Sequence, residues 1–305
     1  MVLKNRYTTA LLLLLLAGGL AVGDSRPLTF VVWSDSHFGA YDFADTTRLD
    51  IMAQINALPA AAPPEGFVPL PDGTPPDFLM HCGDITEKGT AAQWNDPNAL
   101  AQQSYIQTLT HLDRRIQPYA ILGNHDSRKA QNIRQPFAAL HRGTYYAFDC
   151  KGVHVVALDP YPTGNSAAPA LDAAQLDWLR ADLAALAPQT PILIMMHILP
   201  IFDEGLDRTS RLDRQSSDAL AGLLNGKNVL AFFHGHWHAR SVKDWHGIPV
   251  IAPAGFAYWR SGCKNGHPVL GVVQLTDTAL AIYTYNWHTG AYEPAPYYQK
   301  PLVTN

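Results

Sequence analysis

Cysteine is scarce: Cys82, Cys150 and Cys263 are the only three in 305 residues, and no two form a Cys-x-x-Cys pair. That excludes a zinc knuckle, a thioredoxin-type redox site and a scaffold held mainly by disulfides. Positive charge is also in short supply. With 22 Lys and Arg against 26 Asp and Glu the net charge is −4, so no broad cationic surface is available for binding nucleic acid by charge. Beyond the N-terminus there is no apolar run long enough to span a bilayer, no internal repeat and no sustained low-complexity tract. What is present is 47% hydrophobic and 16% charged residues, enough apolar surface to build a real core. The length fits one large α/β unit or two ordinary domains.

The first residues read as an address. Lys4 and Arg6 make a positive start, residues 10–22 are apolar or small, and Ala21-Val22-Gly23 offers small residues for cleavage. The expectation is a signal peptide over 1–23, an exported protein that is periplasmic or secreted, and a mature domain over 24–305 with no stable membrane span. An exported protein sits where disulfides persist, and three thiols allow at most one bridge. Cys82 ends an apolar run and reads as a small buried residue, which leaves Cys150 with Cys263.

Five short apolar runs, 28–33, 78–82, 119–122, 192–196 and 229–233, are each long enough for a buried strand and too short for a helix. Stretches with three-to-four apolar spacing lie between several of them, over 46–58, 99–116 and 172–186. Asp172 followed by Gln175 predicts a capped helix start. Hairpins are expected at 144–148 with 153–158, and at 269–275 with 279–285. The pattern is layered α/β, two sheets sandwiched by helices. The Pro-, Ala- and Gly-rich 59–76 reads as a passive surface insertion, and 203–217, with Arg208, Arg211 and Arg214, as a polar loop leading into a helix.

The chemistry lies just past the ends of the five runs. They lead into Asp35-Ser36-His37, Gly83-Asp84, Gly123-Asn124-His125-Asp126, His197 and His234-Gly235-His236-Trp237-His238. In an open α/β sheet, ligands bind outside the carboxyl ends of the strands, so these loops are expected to converge. Asp35 with His37, and His236 with His238, stand two apart and on extended backbone would face one side. Asp35, His37, Asp84, Asn124, His197, His236 and His238 are then seven candidate ligands, too many for one tetrahedral zinc and suited to two ions. Carboxylate, amide oxygen and imidazole suit iron, manganese or zinc and not calcium. Two such ions generate a hydroxide near neutral pH and clamp a phosphoryl group during in-line attack. Less Asp35, Asp84 and one hydroxide, two divalent ions leave about +1 to attract an anionic ester.

The ordered set Asp35-x-His37, Gly83-Asp84, Gly123-Asn124-His125-Asp126, His197 and Gly235-His236-x-His238 resembles the five-motif signature of the calcineurin-like metallophosphoesterases. The flanking 164–171 and Gln175-Leu176-x-Trp178-Leu179 resemble the branch with cyclic-nucleotide and glycerophosphodiester phosphodiesterases. The resemblance implies a four-layer αββα sandwich of two mixed β-sheets flanked by helices. It implies two divalent or mixed-valence transition-metal ions. One is held by Asp35, His37, Asp84 and His238, the other by Asp84, Asn124, His197 and His236, with Asp84 bridging. It implies that His125 contacts the phosphoryl oxygen or protonates the leaving alkoxide, oriented by Glu87, where Asp is the commoner residue. Purple acid phosphatases carry a Tyr at that position.

These expectations make the chain an exported phosphoesterase acting on a small phosphoester, a diester favoured over a monoester. The alternatives are a periplasmic phosphomonoesterase and, from another class, a non-catalytic metal- or nucleotide-binding protein on the same fold. His81, His111, His141, His154, His246, His267 and His288 read as ordinary core or surface residues, His234 as a structural neighbour of the site, and Trp237 as pocket lining or packing. Arg128, Arg208 and Arg211 read as solvated loop residues. Tyr161, Phe202, Phe256, Tyr258 and Trp259 lie in loops that could shape the pocket.

Overall fold

Alternation along the first strand sets the layering. In β1 (Leu28–Trp33), Leu28, Phe30 and Val32 enter one core while Val31 and Trp33 enter another, since successive side chains of a strand point to opposite faces. The computed structural model describes residues 27–40, 47–71, 73–98, 100, 103–128, 133–161, 168–253 and 269–302. The expected signal peptide and Cys263 lie outside them, as do Phe256, Tyr258, Trp259, His267 and residues 164–167 of 164–171.

After β1 come α1 (Thr47–Ala57), β2 (Phe78–His81), α2 (Ala91–Asn95), α3 (Tyr105–Leu109), β3 (Gln117–Ala120), α4 (Asn124–Arg128) and α5 (Arg134–His141). The second half runs β4 (Tyr146–Cys150), β5 (Val153–Ala157), α6 (Ala173–Ala185), β6 (Ile192–Met195), α7 (Arg214–Leu224) and β7 (Val229–Phe233). It closes with β8 (Ser241–Trp245), β9 (Ile248–Ala252), β10 (Val269–Leu275), β11 (Ala279–Asn286), β12 (Ala291–Tyr292) and β13 (Tyr298–Pro301).

Among the described residues one sheet has the order β12-β11-β10-β1-β2-β3, with β13 on β11, and the other β4-β5-β6-β7-β9-β8. Both are mixed: β1, β2 and β3 pair in parallel, as do β5, β6, β7 and β9, while β10, β11, β4 and β8 join antiparallel. Phe30, Phe78, Val155, Met195 and Phe233 fill the space between the sheets. Ile51, Ile55, Tyr105 and Phe137 cover the outer face of the first sheet, and Leu179, Leu183, Leu220 and Leu224 that of the second. The arrangement is the expected four-layer αββα sandwich.

The five strand runs are found, three of them shifted at an end. The third begins earlier, at Gln117, because its pairing with β2 runs from Gln117 to Ala120; Pro118 is tolerated there because β3 is an edge strand. The helix expected over 99–116 is a correction: among the described residues of that stretch only Tyr105–Leu109 is α-helical. The Asn56 side chain takes His111 O and Asp113 N, and Asp113 accepts from Arg115 N. The local Asp113–Arg115 bond and the two from the distant Asn56 compete with the helical ladder and turn the chain instead. The insertion at 59–76 is surface-exposed over much of its length but not passive. Phe67 is buried against Tyr283, and both main-chain groups of Val68 are bound by the Gln274 carboxamide. Asp172 does cap α6, accepting from Gln175 N. Cys82 is buried, and among the described residues neither it nor Cys150 is in a disulfide.

Candidate metal centre

The loops after β1 and β2 are zipped to each other. Asp35 N donates to Gly83 O, His37 N to Asp84 O and Phe38 N to Ile85 O, at 2.9, 3.0 and 2.8 Å. This ladder is bent, with Asp35, His37 and Asp84 in the left-handed region at φ 56°, 41° and 50°. His236 and His238 share that conformation, at 67° and 50°. Non-glycine residues rarely adopt it, and they cost roughly 1–3 kcal/mol each unless the surroundings hold them.

The surroundings do hold them. Buried Arg48, from the first turn of α1, donates to Ser36 O through Nε and Nη2 at 3.1 and 3.0 Å, and to His37 O at 2.7 Å. His81 Nε2 meets Ser36 Oγ at 2.9 Å. Asp126 is buried and accepts from Gly123 N, Ile85 N, Thr86 N and Thr86 Oγ1 at 2.7–3.0 Å, tying the loop after β3 to the loop after β2. Burial and the Asp84 charge push the Asp126 carboxyl up to about 6, and four donors keep it ionised at neutral pH. Glycine permits the closest approaches: a Cβ on Gly123 would stand 2.2 Å from Asp84 N, and one on Gly83, at φ +87°, 2.6 Å from His197 Nδ1.

At the centre, Asp84 uses its two oxygens differently. Oδ1 accepts from His125 N at 2.8 Å. Oδ2 faces imidazoles, 3.4 Å from His197 Nε2, 3.7 Å from His37 Nε2 and 4.0 Å from His125 Nε2. Asp35 accepts from Ser34 Oγ and His236 N, and its Oδ1 lies 3.3 Å from His238 Nε2. The Nε2 atoms of His37 and His238 stand 3.2 Å apart. His197 Nδ1 lies 2.8 Å from Cys82 O and its Nε2 3.2 Å from Asn124 Oδ1. Donor atoms of Asp35, His37, Asp84 and His238 thus gather within 4.8 Å of one another, as do those of Asp84, His197 and His236. Asp84 belongs to both groups, and all seven residues singled out in the sequence are brought together.

Electrostatics agree with a cation site. Burial drives the Asp84 carboxyl upward, but His197, His37 and His125 outweigh it and hold the group well below the usual carboxylate range. Asp35 behaves likewise: burial raises it, and His238 prevails and lowers it. Burial lowers His197, yet Asp84 carries it up to about 9. Where ionised carboxylates hold protons on neighbouring imidazoles, a divalent ion would displace those protons from the imidazoles. Buried donors converging in pairs, with a mixed oxygen and nitrogen set, fit iron, manganese or zinc.

His125 stands beside these groups, a quarter exposed at its side chain. Its Nδ1 meets the Glu87 carbonyl at 2.9 Å and the Glu87 carboxylate at 3.4 Å. The same carboxylate is closer to His37 Nδ1, at 3.0 Å. Glu87 therefore reaches the position where Asp is commoner, with its main chain as the nearer partner of His125.

The supporting residues are harder to read from sequence. Asp126 ends one of the five motifs, but nothing in the string marks it as a loop tie. Arg48 carries no local signal, and His81 reads as a core residue, which it is, on the back of the site. His234 is structural as expected, with Nδ1 on Gly235 O and Nε2 near Ser241 Oγ. Trp237 packs against the helical face of the second sheet with Lys243 over its ring. Tyr161 is buried with its ring 6.4 Å from that of His197. Gln175 is buried and brackets the main chain of Asp159, so it anchors the loop after β5. Arg208 is exposed, and Arg211 lies over Phe202.

Fold and donor set together define a metal-dependent hydrolase of phosphoesters. The chain belongs to the calcineurin-like phosphoesterase family, whose sequence model matches residues 28–240 and for which a binuclear centre is typical. It is 30% identical over 241 residues to a Rhodococcus erythropolis protein named a probable cyclic nucleotide phosphodiesterase, covering 76% of this chain and 72% of that one. A cAMP/cGMP dual specificity phosphodiesterase of Mycobacterium tuberculosis is 27% identical over 225 residues, 72% of this chain and 62% of its own. A probable glycerophosphodiester phosphodiesterase of Arcobacter nitrofigilis is 27% identical over 186 residues, 59% and 63% of the two chains. The last two matches thus span less than two thirds of those relatives' lengths. Among solved structures, a dimetal phosphatase of Danio rerio superposes with a TM-score of 0.61 at 15% identity, over 86% of this chain and 97% of that one, which shows the shared fold. Among the described residues no helix is long and apolar enough to cross a membrane.

Proposed function

We propose that this chain hydrolyses a small phosphodiester at a centre for two transition-metal ions. Asp35, His37, Asp84 and His238 hold one ion, and Asp84, Asn124, His197 and His236 the other. The observation that carries the reading is Asp84 Oδ2, placed between His37 Nε2 at 3.7 Å and His197 Nε2 at 3.4 Å. A pair of ions supplies an activated water near neutral pH and positive charge for the phosphoryl oxygens. The chain's own groups do the rest. The main-chain N–H of His125 holds one Asp84 oxygen and so directs the other toward the shared position. The Glu87 carbonyl takes His125 Nδ1, so Nε2 delivers the proton to the leaving alkoxide as the P–O bond breaks. The Glu87 carboxylate steadies His37 and His125 together.

The diester is supported by the names of the relatives, and export by the pattern of residues 1–23. Protein loaded with manganese, zinc or iron is expected to hydrolyse bis-p-nitrophenyl phosphate, with Asp84→Ala reduced to background. Faster turnover of p-nitrophenyl phosphate would replace the diester by a monoester. Ion binding with no turnover of either ester, with any of the three metals, would sink the enzyme reading and leave a non-catalytic binding protein. Export is checked by fractionation and N-terminal sequencing, with a start near residue 24 expected and an intact Met1 in the cytoplasm contrary to it.

A further inference from the structure

Between His197 and α7 the chain supplies none of the seven metal-site residues, yet it brings a hydroxyl to one of them. The chain leaves β6 through His197, turns back over 203–207 and returns alongside Leu199. Leu199 N donates to Ser210 O at 3.1 Å and Leu212 N to Leu199 O at 3.0 Å, a one-residue parallel bridge between Leu199 and Arg211. At the turn, the Asp207 carboxylate accepts from Thr209 N and Oγ1 at 2.7 and 2.8 Å, and its carbonyl accepts from Ser210 N at 2.9 Å. Both main-chain groups of Ser210 are therefore fixed, one of them to a residue two positions past His197. Its Oγ stands 3.1 Å from His236 Nε2.

An imidazole binds an ion through its unprotonated nitrogen, and the hydrogen bond made by the other nitrogen decides which one that is. We propose that Ser210 is a positioning residue: its Oγ accepts Nε2–H of His236, fixing the ring and leaving Nδ1 as the nitrogen offered to the ion shared with Asp84, Asn124 and His197. This rests on the binuclear reading of the site. It gives the 203–217 segment a role in the second ion site, the one to which His236 belongs.

The test begins without metal. In metal-free full-length protein with 15N-labelled histidine, long-range 1H–15N correlation is expected to show His236, assigned by its loss in His236→Gln, protonated at Nε2. Ser210→Ala should shift that signal toward the mixture of tautomers and Ser210→Thr should restore it. In calorimetric titration with Mn(II) or Zn(II), Ser210→Ala should bind the first equivalent as wild type does. The second should weaken about 10- to 100-fold, the usual effect of removing such a partner. His236 protonated at Nδ1 in wild type, or unchanged binding of both equivalents by Ser210→Ala, overturns the proposal. A wild type that binds fewer than two equivalents overturns the binuclear reading and the role built on it. The metal-free tautomer then separates that failure from a wrong assignment of the Ser210 contact.

Discussion

Asp84 sits in a left-handed backbone conformation with one oxygen on a main-chain N–H and the other among three imidazoles. Its placement depends on neighbours that touch no substrate. Gly123→Ala would put a Cβ 2.2 Å from Asp84 N and Oδ1, where main chain cannot yield cheaply. A displacement near 1 Å at a reacting centre costs about a hundredfold, so diester kcat/KM should fall by at least about that factor, with metal content reduced. Asp126→Asn replaces an acceptor of four hydrogen bonds by a group with one acceptor oxygen. Urea unfolding should show a loss of about 2 kcal/mol or more, and metal affinity should fall roughly tenfold or further. An Asp126→Asn protein as stable as wild type would show that the tie between the two loops is not needed.

Elements differ in how plainly they can be read. β1 and β7 match their apolar runs because both faces are buried, so each strand is an unbroken hydrophobic stretch ended by its polar loop. The hairpin of β8 and β9 is hidden in the sequence. Ser241, Lys243 and the exposed Val242 make β8 look like loop, and the turn at His246-Gly247 relies on φ of 54° and 79°, with His standing where Asn is the usual signal. The false helix at 99–116 has the right apolar spacing, and only the distant Asn56 side chain shows why it turns. The site is more legible than the fold, because its residue types are rare in combination and sit where strands end, whereas Arg48 and Ser210 act through tertiary contacts alone. The α6 cap offers a clean check on element energetics. Asp172→Ala, remote from the chemistry, should lower stability by about 1 kcal/mol in urea unfolding and leave kcat unaltered.

At the scale of the whole molecule, buried imidazoles set an acid limit. Burial pushes His81 down to about 3 and His141 to about 4, from 6.5. Their folded pKa values lie below the unfolded one, so the unfolded chain binds protons first as pH drops below 6.5. Stability is then full above about pH 6.5 and is lost as pH falls toward 4, by about 1.4 kcal/mol per pH unit for each such group. His141→Gln should flatten the pH dependence of unfolding in that window by about one group's share; an unchanged slope would show that His141 is not titrating in this way. Ion binding should act the other way. Excess EDTA is expected to lower Tm and Mn(II) to restore it, by roughly 3 kcal/mol at a hundred times Kd, with no response in Asp84→Ala.

Asp35, His37, Asp84 and Asn124 come after strands of one sheet, while His197, His236 and His238 come after strands of the other. Cations seated at that seam would serve as rivets between two slabs that otherwise meet mainly through greasy packing, with a few hydrogen bonds such as His236 N to Asp35. Sliding one slab over the other would then have to tear directional bonds, so the charged molecule should resist shear and pressure that the stripped one does not.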